Sequence, residues 1–304
     1  MNVPGRWLSA AVASVLLGAA LVLASAANAV AAPAEGEVEA LQMPAWLTRD
    51  GKKQPLALGA QLRNGDTITT GESSRVQLRM AEGSVVKLGE NARFDLNAMS
   101  RSSDGDRQRF SAILGVQRGA FRFTTLPGDK GRGARSIDVR FPGVTASITG
   151  TDIWGKSADD GDVVALIEGK VNVSRKGDAP VMMTEAKTVY IAPADGPPRP
   201  VTAITLAQLN AYAQETELQP GAGGIGKVGN YKVYAARTPN QEEALAIYER
   251  LRDAGYAAAI QPAMSGGKQI YQVRIVGFLS EADGVAVAVK LRVQLGLQDV
   301  RVSL

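Results

Sequence analysis

Residues 231–236 read Tyr-Lys-Val-Tyr-Ala-Ala, and residues 269–276 read Gln-Ile-Tyr-Gln-Val-Arg-Ile-Val. Both alternate in character, which places successive side chains on opposite faces of a strand. Between them, Asn240 caps a predicted helix with Ala244, Ile247, Tyr248 and Leu251 on one face, and Gly255 ends it. Residues 256–261 predict a second strand, with a turn at Ser265-Gly266-Gly267. Ser280 caps a second helix carrying Ala282, Val285, Ala286, Val289 and Val293, which Gly296 closes. Val300, Val302 and Leu304 finish a fourth strand. The order βαββαβ predicts an α+β domain: a four-stranded antiparallel sheet, its first and third strands central, with both helices on one face. The other sheet face is then left open.

Sorting each strand by face points Val233, Ala235, Val273 and Ile275 toward the helices. Lys232, Tyr234 and Ala236 share the open face with Gln272, Arg274 and Val276, and Gln261 and Arg301 flank them. An aromatic ring beside an amide and a guanidinium suits a sugar, since the ring covers a pyranose face while the polar groups bond hydroxyls. A solvated sheet surface fits the same pattern, as does a platform for single-stranded RNA.

Upstream, residues 219–229 are rich in glycine and read as a linker, so the domain boundary falls there. Residues 205–217 predict a short helix with Thr205 as N-cap and Leu206, Leu209, Tyr212 and Ala213 at packing positions. Residues 195–200 (Asp-Gly-Pro-Pro-Arg-Pro) predict a break that cannot continue a sheet. From 37 to 193 strand and turn alternate at intervals of about ten residues, which predicts an all-β sandwich, barrel or solenoid. Arg49-Asp50-Gly51-Lys52 is a hairpin-type turn, and Val76, Leu78 and Met80 alternate with polar neighbours. Further strands are expected at 110–114, 119–125, 137–141, 144–148, 163–167, 170–174 and 189–192. Polar tips are expected at 101–109 and 128–133, and Trp46, Trp154, Met182 and Met183 read as packing residues.

The first residues follow a different logic. Arg6, an apolar run from Leu8 to Leu23 and small residues through Ala32 describe a secretory signal peptide over 1–32. The apolar run falls short of the roughly 20 residues that span a bilayer. A chain exported in this way works in the periplasm and carries no membrane span once the segment is removed. That location argues against an RNA partner. The sequence has no cysteine and no histidine, which removes disulfides, a lipid-attachment cysteine and the usual zinc ligands. With 34 basic side chains against 30 acidic, the overall charge is too mild to indicate nucleic acid. No cofactor is expected.

Three motifs weaken on inspection. Gly221-Ala222-Gly223-Gly224-Ile225-Gly226 has dinucleotide-site spacing, but Pro220 precedes it and a strand pattern follows, where a strand and a helix are required. Asp159-Asp160-Gly161-Asp162 lacks the calcium-loop spacing and reads as a hairpin tip. Asp152 and Glu168 are candidate acids for glycan hydrolysis, but nothing in the sequence sets them across a cleft. No enzymatic activity is expected.

Residues 231–236, the helix ending Leu251-Arg252-Asp253-Ala254-Gly255-Tyr256, and residues 271–278 together resemble the SPOR domain over 229–304. The resemblance implies an RNP-like, ferredoxin-like fold that binds peptidoglycan glycan strands stripped of stem peptides, such as concentrate at division septa. It implies a ligand on the open face, at Lys232, Tyr234, Ala236, Gln261, Gln272, Arg274, Val276 and Arg301. Tyr234 stands where that family often carries Gln. Residues 62–71, 74–78 and 83–88 resemble the FecR domain, as do Gly119-Ala120-Phe121-Arg122-Phe123, Ile148-Thr149-Gly150-Thr151-Asp152-Ile153 and Glu168-Gly169-Lys170-Val171, together spanning 37–193. That resemblance implies an all-β periplasmic domain and no single function; the domain is expected to act as a binding or adaptor module that holds a protein or glycan partner or positions the SPOR module. The alternative is a periplasmic signal-transduction regulator of the FecR type.

Overall fold

Burial alternates residue by residue along Arg75–Met80 and Val144–Ile148, as a period-two pattern dictates. A computed structural model describes residues 34–104, 107–125 and 134–304. The predicted signal segment, the 128–133 loop and the centre of the 101–109 tip lie outside the described residues.

Two sheets share one long strand, Arg107–Thr124. Its first part pairs antiparallel with Arg93–Asp104 and parallel with Ala134–Arg140. Its last part pairs with Val85–Leu88 and Asp152–Ala158 in the second sheet. The two strands expected at 110–114 and 119–125 are therefore one, bent at Gly119. That residue has a φ of +85°, and a Cβ on it would sit 2.6 Å from the Ala92 Cα, so only glycine fits the bend. Phe94 of one sheet stacks on Phe121 of the other at 5.8 Å between ring centres, and a shared apolar core fills the space between the sheets. The hairpin Ala45–Arg49 and Lys52–Pro55 turns at Asp50 and Gly51, whose φ values of 50° and 72° are those of the twisted two-residue turn expected there.

The segment between the two regions departs from expectation. Strand Arg199–Ala203 pairs antiparallel with Thr188–Pro193, so the proline-rich stretch does continue the sheet. It does so as an edge strand, where a missing N–H is tolerated. Thr205 caps the helix Leu206–Thr216 through a reciprocal bond pair with Gln208. Leu206 is exposed, contrary to its assigned packing role. Tyr212 instead anchors the helix, its ring stacked on Trp154 with centres 4.0 Å apart. Glu217 meets Lys87 at 2.5 Å and Arg122 at 3.2 Å.

Residues 219–229 are not a loose tether. The buried Gln42 side chain donates to the Gln219 carbonyl at 3.1 Å and accepts from its N–H at 2.9 Å. Strand Gly224–Gly226 then pairs with Ala40–Gln42 on one side and, through Ile225, with Phe278 on the other. Glycine keeps this strand narrow enough to lie under Leu279 and beside Ala40.

The C-terminal residues run strand Tyr231–Thr238, helix Gln241–Asp253, strands Ala259–Ser265 and Lys268–Phe278, helix Glu281–Leu295, strand Arg301–Ser303. Pairing orders the sheet as 259–265, 268–278, 231–238, 301–303, with the first and third strands central as expected. Asn240 and Ser280 cap the helices, and Gly296 ends the second with a φ of +61°. The first helix buries Ala244 and Leu251 as expected. The second is rotated from expectation. It buries Asp283, Gly284, Val287, Ala288 and Leu291, while Val285, Val289 and Val293 face outward. This helix is apolar on several sides, so periodicity alone could not choose its inner face. Asp283 chooses it, by reaching inward to the Gly223 and Gly224 N–H groups.

Candidate functional site

The sheet face turned away from the two helices carries cross-strand rows set by the register. Arg301, Tyr234, Arg274 and Ala259 lie side by side across the four strands. A second row holds Arg237, Gln272 and Gln261. A third holds Ser303, Lys232 and Val276. Lys232, Tyr234, Gln272 and Arg274 are half-buried, whereas Gln261, Val276 and Arg301 are exposed. The linker strand joins the sheet in plane, by hydrogen bonding, and leaves these residues accessible.

One assignment is corrected. Ala236 does not share this face; it is buried in the core opposite Val273. The register shifts between Tyr234 and Ala236, so Ala235 and Ala236 both turn inward and the alternation reverses. Two alanines are small enough to sit together beneath the helices. The residue that reaches the open face is Arg237, whose guanidinium carbon lies 5.8 Å from the centre of the Tyr234 ring. Strict alternation missed it, and the only sequence signal is the doubled alanine.

Lys232, Arg237, Arg274 and Arg301 thus surround one tyrosine. None of the four has an ion pair or side-chain hydrogen bond among the described residues. The charge that is mild over the whole chain is concentrated here, which favours anionic groups at this face.

The sites discounted in the sequence resolve differently. The Gly223 and Gly224 N–H groups do hold an anion, but it is the chain's own Asp283 carboxylate, at 3.0 and 2.9 Å. Asp162 is buried and accepts from the Gly143 N–H at 2.6 Å. Asp159 pairs with Arg118 at 3.5 Å. No group of acidic residues suited to a metal occurs among the described residues. Asp152 and Glu168 do stand opposite each other across two strands. The Asp152 carboxylate, however, is taken by Arg122 at 3.0 and 2.8 Å, and that contact raises the arginine pKa.

Residues 66–172 match the family model described as FecR protein, and residues 227–303 match the SPOR domain. The chain carries a FecR domain followed by a SPOR domain. No curated protein matches the sequence. Two crystal structures of a Parabacteroides distasonis protein described as a "putative anti-sigma factor", at 1.65 and 2.50 Å resolution, are similar at 15% identity and a TM-score of 0.39. They cover 76% and 78% of this chain and 92% and 96% of their own. The rows described above all belong to the SPOR domain. FecR and SPOR are binding or regulatory families rather than catalytic ones. Among the described residues, no helix is long and apolar enough to cross a membrane.

Proposed function

We propose that this protein is a non-catalytic adaptor of the periplasm whose SPOR domain, an RNP-like fold, binds peptidoglycan glycan strands freed of their stem peptides. The observation that carries the reading is the row Arg301, Tyr234, Arg274, a ring flanked on both sides by cations that have no ion pair or side-chain hydrogen bond among the described residues. The ring offers an apolar face to a sugar, and Gln272 and Gln261 supply amides beside it. The cations add selectivity. Hydrolysing the amide that attaches a stem peptide leaves a carboxylate on the glycan, so a stripped strand is anionic where an intact one is substituted.

Such strands arise where cell-wall amidases act, which places the protein at division septa. The FecR domain, a two-sheet sandwich, then holds the SPOR domain in a set orientation. The strand Gly224–Gly226, bonded on both edges, supports that role.

Pelleting the purified protein with sacculi tests the proposal. Amidase-treated sacculi should retain more protein than intact ones, and the Tyr234→Ala/Arg274→Ala chain should remain in the supernatant. Equal retention on both kinds of sacculi would remove the selectivity. The FecR match also fits an envelope signalling regulator. An envelope response that survives in the Tyr234→Ala/Arg274→Ala chain would favour that second reading.

A further inference from the structure

We infer that the glycan path does not end at the edge of the SPOR sheet but continues into a cleft completed by the FecR-side hairpin. The inference rests on the sheet-face reading above. The row Arg301, Tyr234, Arg274, Ala259 crosses all four strands, roughly 14 Å at about 4.8 Å per step, and ends on the edge strand Ala259–Ser265. Ala258, the residue before that strand, lines a cleft of about 680 Å³. The cleft opens on the helix side of that edge, so a ligand laid along the row reaches it by turning over the edge strand at Ala259 and Ala258.

One wall of the cleft is SPOR, with Tyr248 and Arg252 from its first helix. The other is the hairpin 45–55, with Trp46, Lys52 and Lys53. That hairpin pairs with Thr67–Thr70, inside the matched FecR residues. The volume falls within the range of about 300–1,000 Å³ usual for ligand sites, which favour domain interfaces.

The chemistry repeats that of the sheet face: aromatic side chains among cations. Lys53 Nζ lies 4.2 Å from the centre of the Trp46 ring. Lys52 and Lys53 are exposed, and neither has an ion pair among the described residues. The acid at the rim, Asp253, stands 3.5 Å from the Arg252 guanidinium. Two lysines are left to meet carboxylates further along a stripped strand.

Docking of the two regions is what forms the cleft. The Ala45 N–H donates to the Gly255 carbonyl at 3.2 Å, and Gly255 packs against Trp46. The FecR region is then part of the ligand site, and long strands gain contacts that short ones cannot reach.

The test titrates amidase-stripped glycan oligomers of two lengths against the whole protein. The shorter is one that the sheet row alone can hold, and the longer extends several disaccharides beyond it. For Lys52→Gln/Lys53→Gln the expected result is a loss of about tenfold for the long oligomer and less than about twofold for the short one. Arg252→Gln, on the facing wall, should reproduce that length dependence, and an unchanged thermal midpoint verifies folding. Equal losses at both lengths, or none at either, overturn the extended path. Retention of short-oligomer binding by Tyr234→Ala is a separate result, because it removes the sheet-face reading itself.

Discussion

The guanidinium of Arg237 stands over the Tyr234 ring, 5.8 Å from its centre, because the chain gains one residue between them. The bulge turns Ala236 into the core and lifts Arg237 onto the open face. Ring and cation then form one preorganised element. At a partly exposed site such a contact contributes about 0.5–1 kcal/mol.

Arg237→Ala should therefore lower retention on amidase-treated sacculi severalfold while lowering stability by no more than about 1 kcal/mol. Ala236→Leu should do the reverse, overpacking the core at a cost of about 1–3 kcal/mol. Urea denaturation and pelleting of the two variants separate the effects. An Ala236→Leu chain of unchanged stability would place that residue back on the surface.

On the proposed reading the cations carry the selectivity, so retention should fall as salt rises from roughly 0.05 to 0.5 M, where the screening length shrinks to a few ångströms. The loss should be shallower for Arg274→Gln or Arg301→Gln. Retention that ignores salt would mean that Tyr234 and the amides act without the charges.

Asp283 is buried and holds the Gly223 and Gly224 N–H groups through one oxygen while Ser280 donates to the other at 2.6 Å. Removing it leaves two buried donors unmatched. Asp283→Ala should destabilise the protein by about 2–4 kcal/mol and open residues 219–229 to proteolysis. Cleavage no faster than in the unmodified chain would show that the strand pairing alone secures this segment.

Gly255 has a φ of +82°, and a Cβ there would lie 2.6 Å from the Trp46 ring. Gly255→Ala should cost more than about 2 kcal/mol, from backbone strain and from displacement of the hairpin. The displacement should appear as a shift in tryptophan emission. An unshifted spectrum would mean that the hairpin is not held by this contact.

Burial raises the Glu82 carboxyl above its usual value of 4.5. Its Oε2 is buried without a hydrogen-bond partner. The folded chain therefore holds this proton to higher pH than the unfolded chain does. The contribution to stability is largest below pH 4.5 and is lost as pH rises through the folded pKa. Glu82→Gln should flatten that part of the profile in denaturation at graded pH. A parallel profile would assign the dependence elsewhere.

Local pattern was enough for much of this protein. The turn at Asp50-Gly51, the caps Thr205, Asn240 and Ser280, and the four C-terminal strands, the second of them displaced from 256–261 to Ala259–Ser265, follow from spacing and side-chain type, because neighbouring residues decide them. Seven of the eight residues assigned to the open face stand on it, for the same reason of two-residue alternation. Ala236 fails because a bulge is an extra residue measured against a partner strand, and no single strand records its partner's register.

The order of residues 219–229 was likewise hidden. Glycines read as freedom in isolation, yet here they let a strand slip between two sheet edges, where Gln42 and Asp283 bind its backbone from positions 177 and about 60 residues away in sequence. The sequence by itself determined the three helices with their caps and which faces of the C-terminal sheet differ, since those depend on periodicity along the chain. Tertiary structure decided the inward face of the last helix, the position of Arg237 and the cleft beside Trp46. Each of these depends on distances between segments that only folding brings together.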